Sequence, residues 1–280
     1  MKKSKKVLAV ILTSLMVFSM ALLTGCGSSS GSKSSKDDSW DYIKKNGKLI
    51  VGLDDTFAPM GFRDENNKLV GFDIDLAKAV GKKLGIKIEF QPIDWKAKEA
   101  NLKAKKIDCI WNGLSATEDR QKSMTLSKKY MENRILLMST DPSVNVKDVD
   151  QLKDMKIGTQ AGSAALEQIQ KNKKYDEFKD NIKEYDTYDE ALLDMKAGRI
   201  NVVAIDEVYA IYNNQNKDKL YESDFNFGAD YYAIAFRKGD KALANKINGA
   251  IKELEDDGTA EKISDKWFGK NLTIYEGYGK

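Results

Sequence analysis

Arg120, Asp206 and the pair Gly162-Ser163 are the residues of this chain best suited to hold a small charged ligand. Arg120 offers a planar guanidinium fork that can grip a carboxylate through two parallel hydrogen bonds. Inside the run Glu118-Asp119-Arg120 it is, taken alone, equally an ordinary surface arginine. Asp206 directly follows the apolar run 201–205 and should therefore stand at the carboxyl end of a strand, where α/β sheets meet their ligands. As a bare aspartate before a helix it is also a common N-cap. Gly162-Ser163 falls between a strand and a helix start, where free backbone N–H groups can receive an anion. A simple helix cap by Ser163 fits the same pattern, and both can hold at once. A zwitterion needs a cation for its carboxylate and an anion for its ammonium, and these residues supply one of each.

Other chemistry is missing. The chain has no histidine, which removes the usual general base, the Ser-His-Asp and Cys-His constellations and nearly all catalytic zinc sites. The stretch Gly158 to Ser163 looks faintly like a phosphate loop, but no Lys-Ser/Thr pair follows it. Asp141, Asn145, Asp148 and Asp150 do not fit a calcium loop with its central glycine and terminal glutamate, and read as solvated turn acids. No catalytic residue, metal or cofactor is expected. Carboxylate or lysine catalysis stays open in principle.

Alternating elements must position these groups. The run 48–53 is a short apolar strand that stops at Asp54-Asp55. A helix begins near Asp73, with Phe72, Leu76, Val80 and Leu84 at four-residue spacing and Gly85 closing it. A strand over 86–90, a helix near 96–105 and a strand over 107–111 follow. That is β-α-β-α-β order, the pattern of a parallel sheet covered by helices. The pattern restarts with a strand at 156–159, a helix at 163–171, a helix at 187–197 and the strand 201–205 before Asp206. A strand at 232–237 and a long helix from about 241 to 255 end the series. Two α/β sets imply two lobes with the ligand in a crevice between strand ends.

The amino terminus has a different composition. Lys2, Lys3, Lys5 and Lys6 precede an uncharged apolar run over 7–23, slightly short for a spanning helix, as in a cleaved export signal. Leu23-Thr24-Gly25-Cys26 resembles the lipobox of bacterial lipoproteins, which implies cleavage before a lipid-bearing Cys26 and removal of 1–25. That removal takes four lysines and no acid, so the formal charge falls from +3 to −1 and no nucleic-acid partner is indicated. The serine- and glycine-rich segment 26–39 reads as a flexible tether. Cys109, alone in the apolar stretch 107–111, reads as a small buried hydrophobe.

Six stretches resemble the family 3 extracellular solute-binding proteins, the amino-acid receptors of ABC importers. They are VGLDDTFAPMGF at 51–62, LVGFDIDLAKAVGKKLG at 69–85, NGLSATEDR with Thr117 and Arg120, KIGTQAGSAALE at 156–167, ALLDMKAGRINVVAIDE at 191–207 and DGTAEKISDKWFG at 257–269. They occur in the family's order over about 40–270. The resemblance implies a two-lobed, type II periplasmic-binding-protein-like α/β fold with two crossover hinge strands, near 133–137 and 227–232. Lobe 1 would comprise 40–135 with 230–280, and lobe 2 would comprise 136–229.

It also implies roles. Arg120 matches the arginine that takes the ligand carboxylate, which reverses its bare reading as a surface residue. Asp206 matches the aspartate that binds the ligand ammonium, helped by Ser115 and the carbonyl of Gly113. Asp54, Phe57 and Trp95 match positions that touch the ligand side chain, and Asn112 adds a polar contact from a strand end. Ala164 replaces a frequent hydroxyl residue, and Glu99 stands where relatives are often apolar, so side-chain specificity is open among lysine, arginine, histidine, glutamine and cystine. The implied protein is a monomeric, lipid-anchored binding protein on the extracytoplasmic face, not an enzyme, that passes an amino acid to a permease with ATPase subunits. Its lysine-rich signal and serine-rich tether suit a Gram-positive surface. Dehydratase-like enzymes and amino-acid sensors on the same scaffold are the alternatives.

Overall fold

A computed structural model describes residues 37–216 and 219–278. The export signal over 1–25, the lipid-bearing Cys26 and most of the tether over 26–39 lie outside the described residues. The remainder is built on two sheets. The first has the order β5-β1-β6-β13-β7. Its strands are β1 (Lys48–Leu53), β5 (Lys87–Pro92), β6 (Cys109–Ile110), β7 (Thr125–Leu126) and β13 (Ala235–Phe236). A small antiparallel sheet of β2 (Thr56–Phe57), β3 (Gly61–Arg63) and β4 (Leu69–Val70) lies beyond the end of β1. Helices α1 (Ser39–Asn46), α2 (Phe72–Leu84), α3 (Lys98–Lys103) and α4 (Glu118–Ser123) belong to this half.

The second sheet has the order β10-β9-β11-β8-β12, with β14 also paired to β8. Its strands are β8 (Lys129–Ser139), β9 (Ile157–Gln160), β10 (Ile182–Tyr185), β11 (Val202–Asp206), β12 (Tyr221–Tyr232) and β14 (Thr273–Glu276). Helices α5 (Ala164–Lys171), α6 (Tyr175–Phe178), α7 (Tyr188–Lys196) and α8 (Glu207–Asn216) accompany it. The chain ends with α9 (Lys241–Asp256) and α10 (Thr259–Phe268), and α9 packs on α1 and α2 of the first half.

The residue patterns explain most of these elements. On α2, Phe72, Leu76, Ala77 and Val80 are buried together, and Gly85 ends the helix in the left-handed conformation at φ 67°. Thr187 and Glu190 close a reciprocal capping box that starts α7. Cys109 is a free, fully buried thiol, and burial pushes its pKa up, as suits a small hydrophobe.

The strands of the β-α-β-α-β run are parallel, as expected, and other strands add antiparallel pairs to both sheets. β5 and β6 run parallel to β1, but β13 is antiparallel to both of its neighbours. Likewise β9, β10 and β11 are parallel, while β8 and β12 are antiparallel. The cause is the long β8–β12 pair, which carries the chain out of one half and back into the other. At the crossing Met131 faces Tyr232, Asn133 faces Asp230 and Ile135 faces Gly228. The strand expected over 232–237 is accordingly divided between the end of β12 and the short β13, and the strand expected over 107–111 shortens to β6.

Candidate functional site

Strand ends from both halves converge on one polar cleft. β1 ends next to Asp54, β6 leads into Asn112-Gly113, β9 ends at Gln160 and β11 ends at Asp206. The cleft is lined by Asp54, Phe57, Trp95, Asn112, Gly113, Ser115, Arg120, Gln160, Ser163, Ala164 and Asp206. Of the ligand-contact residues expected from the sequence, all but Gly162 line this cleft, Ala164 stands there without a hydroxyl, and Gln160 is added. The space is tight, offering about 10 Å³ to the centre of a water-sized sphere, roughly the room for one water.

The floor on the first half is fixed from below by Asp73. Its buried carboxylate accepts from Trp111 Nε1 at 3.1 Å, Gly113 N at 2.7 Å and Tyr130 Oη at 3.0 Å. Burial raises its pKa to about 7 against the opposing pull of these donors. Gly113, at φ 57°, lies beneath the Phe57 ring, which a β-carbon there would meet at 2.7 Å. Only glycine fits that combination of backbone and contact.

Arg120 is 2 % exposed and reaches across the cleft. Nη1 donates to Ser115 O at 2.9 Å, and Nη2 donates to Gly162 O at 3.4 Å and to Glu167 Oε1 at 2.6 Å. Its Nε has no acceptor, and neither has the buried Nδ2 of Asn112 on the same wall. Two buried donors without acceptors on one cleft wall suit an anionic group, because leaving such donors unpaired costs the desolvation of each. Glu167, on α5, was not singled out from the sequence. Its spacing from Gly162 places it one turn into the helix, and only the closure of the two halves shows that it meets Arg120.

Of the backbone N–H groups expected to be free at Gly162-Ser163, that of Ser163 is engaged. Ser163 N donates to Gln160 O at 3.2 Å, and Ser163 Oγ caps α5 by accepting from Leu166 N at 3.1 Å. Gly162 turns its carbonyl toward two cations, Arg120 and Lys98, whose Nζ donates to it at 2.8 Å. Lys98 also lies over the Trp95 ring at 5.0 Å. Burial, then the Arg120 charge, lowers its pKa to about 7. In a stretch with lysines at 96, 98, 103, 105 and 106, nothing in the sequence marks one of them as buried. Glu99, beside it, is exposed.

Asp206 forms the opposite end. Oδ1 accepts from Asn133 Nδ2 at 2.7 Å and Tyr232 Oη at 2.8 Å, and Oδ2 accepts from Tyr188 Oη at 3.1 Å. Burial, then the neighbouring Asp230 charge, raises its pKa to about 6. Ser115 Oγ donates to Asp230 Oδ2 at 2.6 Å. Neither Asn133 nor Asp230 was marked by the sequence, since both lie within crossing strands that carry no local functional signature.

A third carboxylate, Asp54, stands at the side. Its oxygens accept from Thr56 N at 2.9 Å, Thr56 Oγ1 at 2.6 Å and Gln160 Nε2 at 2.7 Å, all neutral donors. Burial raises its pKa. Its backbone N donates to Asn112 Oδ1 at 3.0 Å. Phe57 packs between Tyr188 and Tyr209 of the other half, with ring centroids 5.9 Å away in both cases. The cleft thus presents donors and cations at one end, carboxylate and hydroxyl acceptors at the other, and an aromatic wall with a carboxylate beside it.

Known proteins of similar sequence and fold include several amino-acid-binding proteins. The L-cystine-binding protein TcyJ of Escherichia coli (strain K12) is 30% identical over 233 residues, covering 82% of this chain and 86% of that protein. The arginine-binding extracellular protein ArtP of Bacillus subtilis (strain 168) is 32% identical over 269 residues, covering 94% and 98%. A crystal structure of an ABC uptake transporter substrate-binding protein from Streptococcus pneumoniae with bound histidine superposes with a TM-score of 0.78 at 35% identity, covering 86% of this chain and 100% of that one. Its fold and those of its neighbours are of the two-lobed type II kind expected from the sequence. The sequence model of the bacterial extracellular solute-binding proteins, family 3, matches residues 49–270, and the chain belongs to that family.

Proposed function

We propose that the chain is the substrate-binding component of an amino-acid ABC importer, and that it captures its ligand by closure of two lobes. The observation that carries this reading is the pairing of unlike ends in one cleft, with Arg120 and its orphaned Nε on one side and Asp206 on the other. Arg120 takes the ligand carboxylate, joined by Asn112 Nδ2, and Asp206 with Ser115 takes the ammonium. Gly113, Gly162 and Ser163 shape the backbone around these groups. Phe57 and Trp95 wall the side chain, and Asp54, hydrogen-bonded only to neutral donors, faces its tip. A buried carboxylate without a cation favours a polar or cationic tip.

The lobes in this reading are 40–135 with 230–280 and 136–229, turning about β8 and β12. The cleft is tight and lined by residues of both lobes, so loading proceeds by the lobes parting. A ligand that bridges both lobes favours the closed state because it contacts both only there. The closed form then docks on the permease. Cys26 carries a lipid that holds the protein, through its tether, at the extracytoplasmic face of the membrane, in keeping with the lipobox-like Leu23-Thr24-Gly25-Cys26.

A thermal-shift screen of the chain from Gly27 onward against the twenty amino acids, ornithine and cystine tests the reading. A polar or basic amino acid should raise the midpoint with concentration, as ligand binding to the folded state requires. A flat response to all of them refutes it, and chemically altered ligand recovered in stoichiometric excess would favour an enzyme.

A further inference from the structure

Ser115 and Asp206 face the cleft together, yet the group that governs both is a third residue, Asp230, on the returning strand β12. Asp230 is 7 % exposed and lies opposite Asn133 in the crossing pair. Its Oδ2 accepts from Ser115 Oγ at 2.6 Å and from Asn133 Nδ2 at 2.9 Å. The same Nδ2 donates to Asp206 Oδ1 at 2.7 Å, so one amide joins two buried carboxylates. Asn133 Oδ1 is left without a partner, which shows where the amide's preference lies: its donors turn to the carboxylates and its acceptor is forgone.

We propose that Asp230 is a positioning residue for the ammonium end of the cleft, where it fixes Ser115 as an obligate acceptor and adds its charge to that of Asp206. The inference rests on the amino-acid reading above. A serine hydroxyl has one proton and two lone pairs. With its proton directed to Asp230, Ser115 can offer the cleft only lone pairs. Tyr188, Tyr232 and Asn133 likewise direct their donors at Asp206 rather than at the cleft. This end therefore accepts and does not donate, and its two carboxylates favour a positive group over a neutral one. An α-ammonium, with three donors and a positive charge, satisfies it. An α-hydroxyl, with one donor and no charge, does not.

The test is calorimetric titration of the full-length protein, purified in detergent, with L-arginine, L-glutamine, L-histidine and L-cystine. The tightest binder is then compared with its 2-hydroxy analogue. Asp230→Asn should weaken the amino acid about tenfold or more while changing the hydroxy analogue less than about threefold, the loss expected when a charged acceptor becomes neutral. In a Ser115→Ala background the same substitution should cost clearly less than in the wild type, because the group it orients is gone and only its charge is left to lose. An equal loss for both ligands, or an equal loss in both backgrounds, overturns the proposal and leaves Asp230 as a strand-pairing residue. If Asp230→Asn does not fold, Ser115→Ala carries the test: it must reduce the preference for the amino acid over the hydroxy analogue, and an unchanged preference overturns the proposal. Failure of the wild-type protein to bind any amino acid of the thermal-shift screen overturns the amino-acid reading as well, whereas wild-type binding with unchanged discrimination in Asp230→Asn overturns this inference alone.

Discussion

The two charged ends of the cleft are built on opposite plans. At the Asp206 end both carboxylate oxygens already have protein donors, two tyrosine hydroxyls and an asparagine amide, so the charge is held here without a ligand. At the Arg120 end the guanidinium is held partly by Glu167 from the facing half, and its Nε has no acceptor. One end is preorganised, and the other is completed by whatever crosses the cleft. Preorganised groups lose little freedom on binding, whereas a group that already has a partner must exchange it. The difference teaches that affinity in this cleft is a balance between an internal ion pair and a ligand carboxylate competing for the same arginine.

Three substitutions bear on that contrast. Removing the contested cation should have the largest effect. Arg120→Ala is expected to weaken amino-acid binding by about 3–5 kcal/mol, since it strands a buried carboxylate. Calorimetry showing a loss under about threefold would mean that this arginine is not the carboxylate anchor.

The preorganised end should respond to pH. Asp206, at about 6, is mostly protonated below that value, and pairing with an ammonium requires its ionised form. Affinity should therefore fall as pH drops through about 6, approaching tenfold per pH unit below it. Asp206→Asn should cost about 2–4 kcal/mol at pH 8 and flatten this profile. A slope that survives in the variant would assign the proton to another group. Stability should move the other way: the folded state keeps this proton above the ordinary value of 3.8, so the group's contribution declines as pH rises from about 4 to 6.

The smallest change should come from the competitor itself. Glu167→Gln keeps the shape of the side chain but not its charge, and the Arg120–Glu167 pair is 3 % and 26 % exposed at its two side chains. Binding should tighten by about three- to tenfold, in keeping with a partly buried ion pair of about 1 kcal/mol lost from the ligand-free state. Weaker binding in this variant would show that Glu167 supports the ligand-bound arginine instead of competing for it.

The parts of the site legible in sequence are those at element ends. Asp206 is found because an apolar strand stops against it, whereas Gly113 and Ser115 entered only through the family resemblance, although they too follow an apolar stretch, the one that becomes β6. Gln160 ends β9 in the same way and was within reach of that argument. Lys98, Glu167, Asn133 and Asp230 are different. Each has an ordinary local context, a lysine-rich helix, a helix face or a strand interior, and each matters through a partner distant in the chain. The antiparallel strands that join each parallel set were hidden for a related reason, since strand direction within a sheet is set by distant partners such as β8 and β12.

Periodicity, turn residues and the order of apolar runs thus determined two α/β halves, their helix ends and the strand ends that carry candidate ligand groups. These are local properties, fixed by side chains a few residues apart. Tertiary structure alone decided which charges face one another, because burial and pairing depend on residues as far apart as Ser115 and Asp230, 115 positions away in the chain. No window of sequence can contain an interaction of that span, and desolvation gives it force only after both strands are in place.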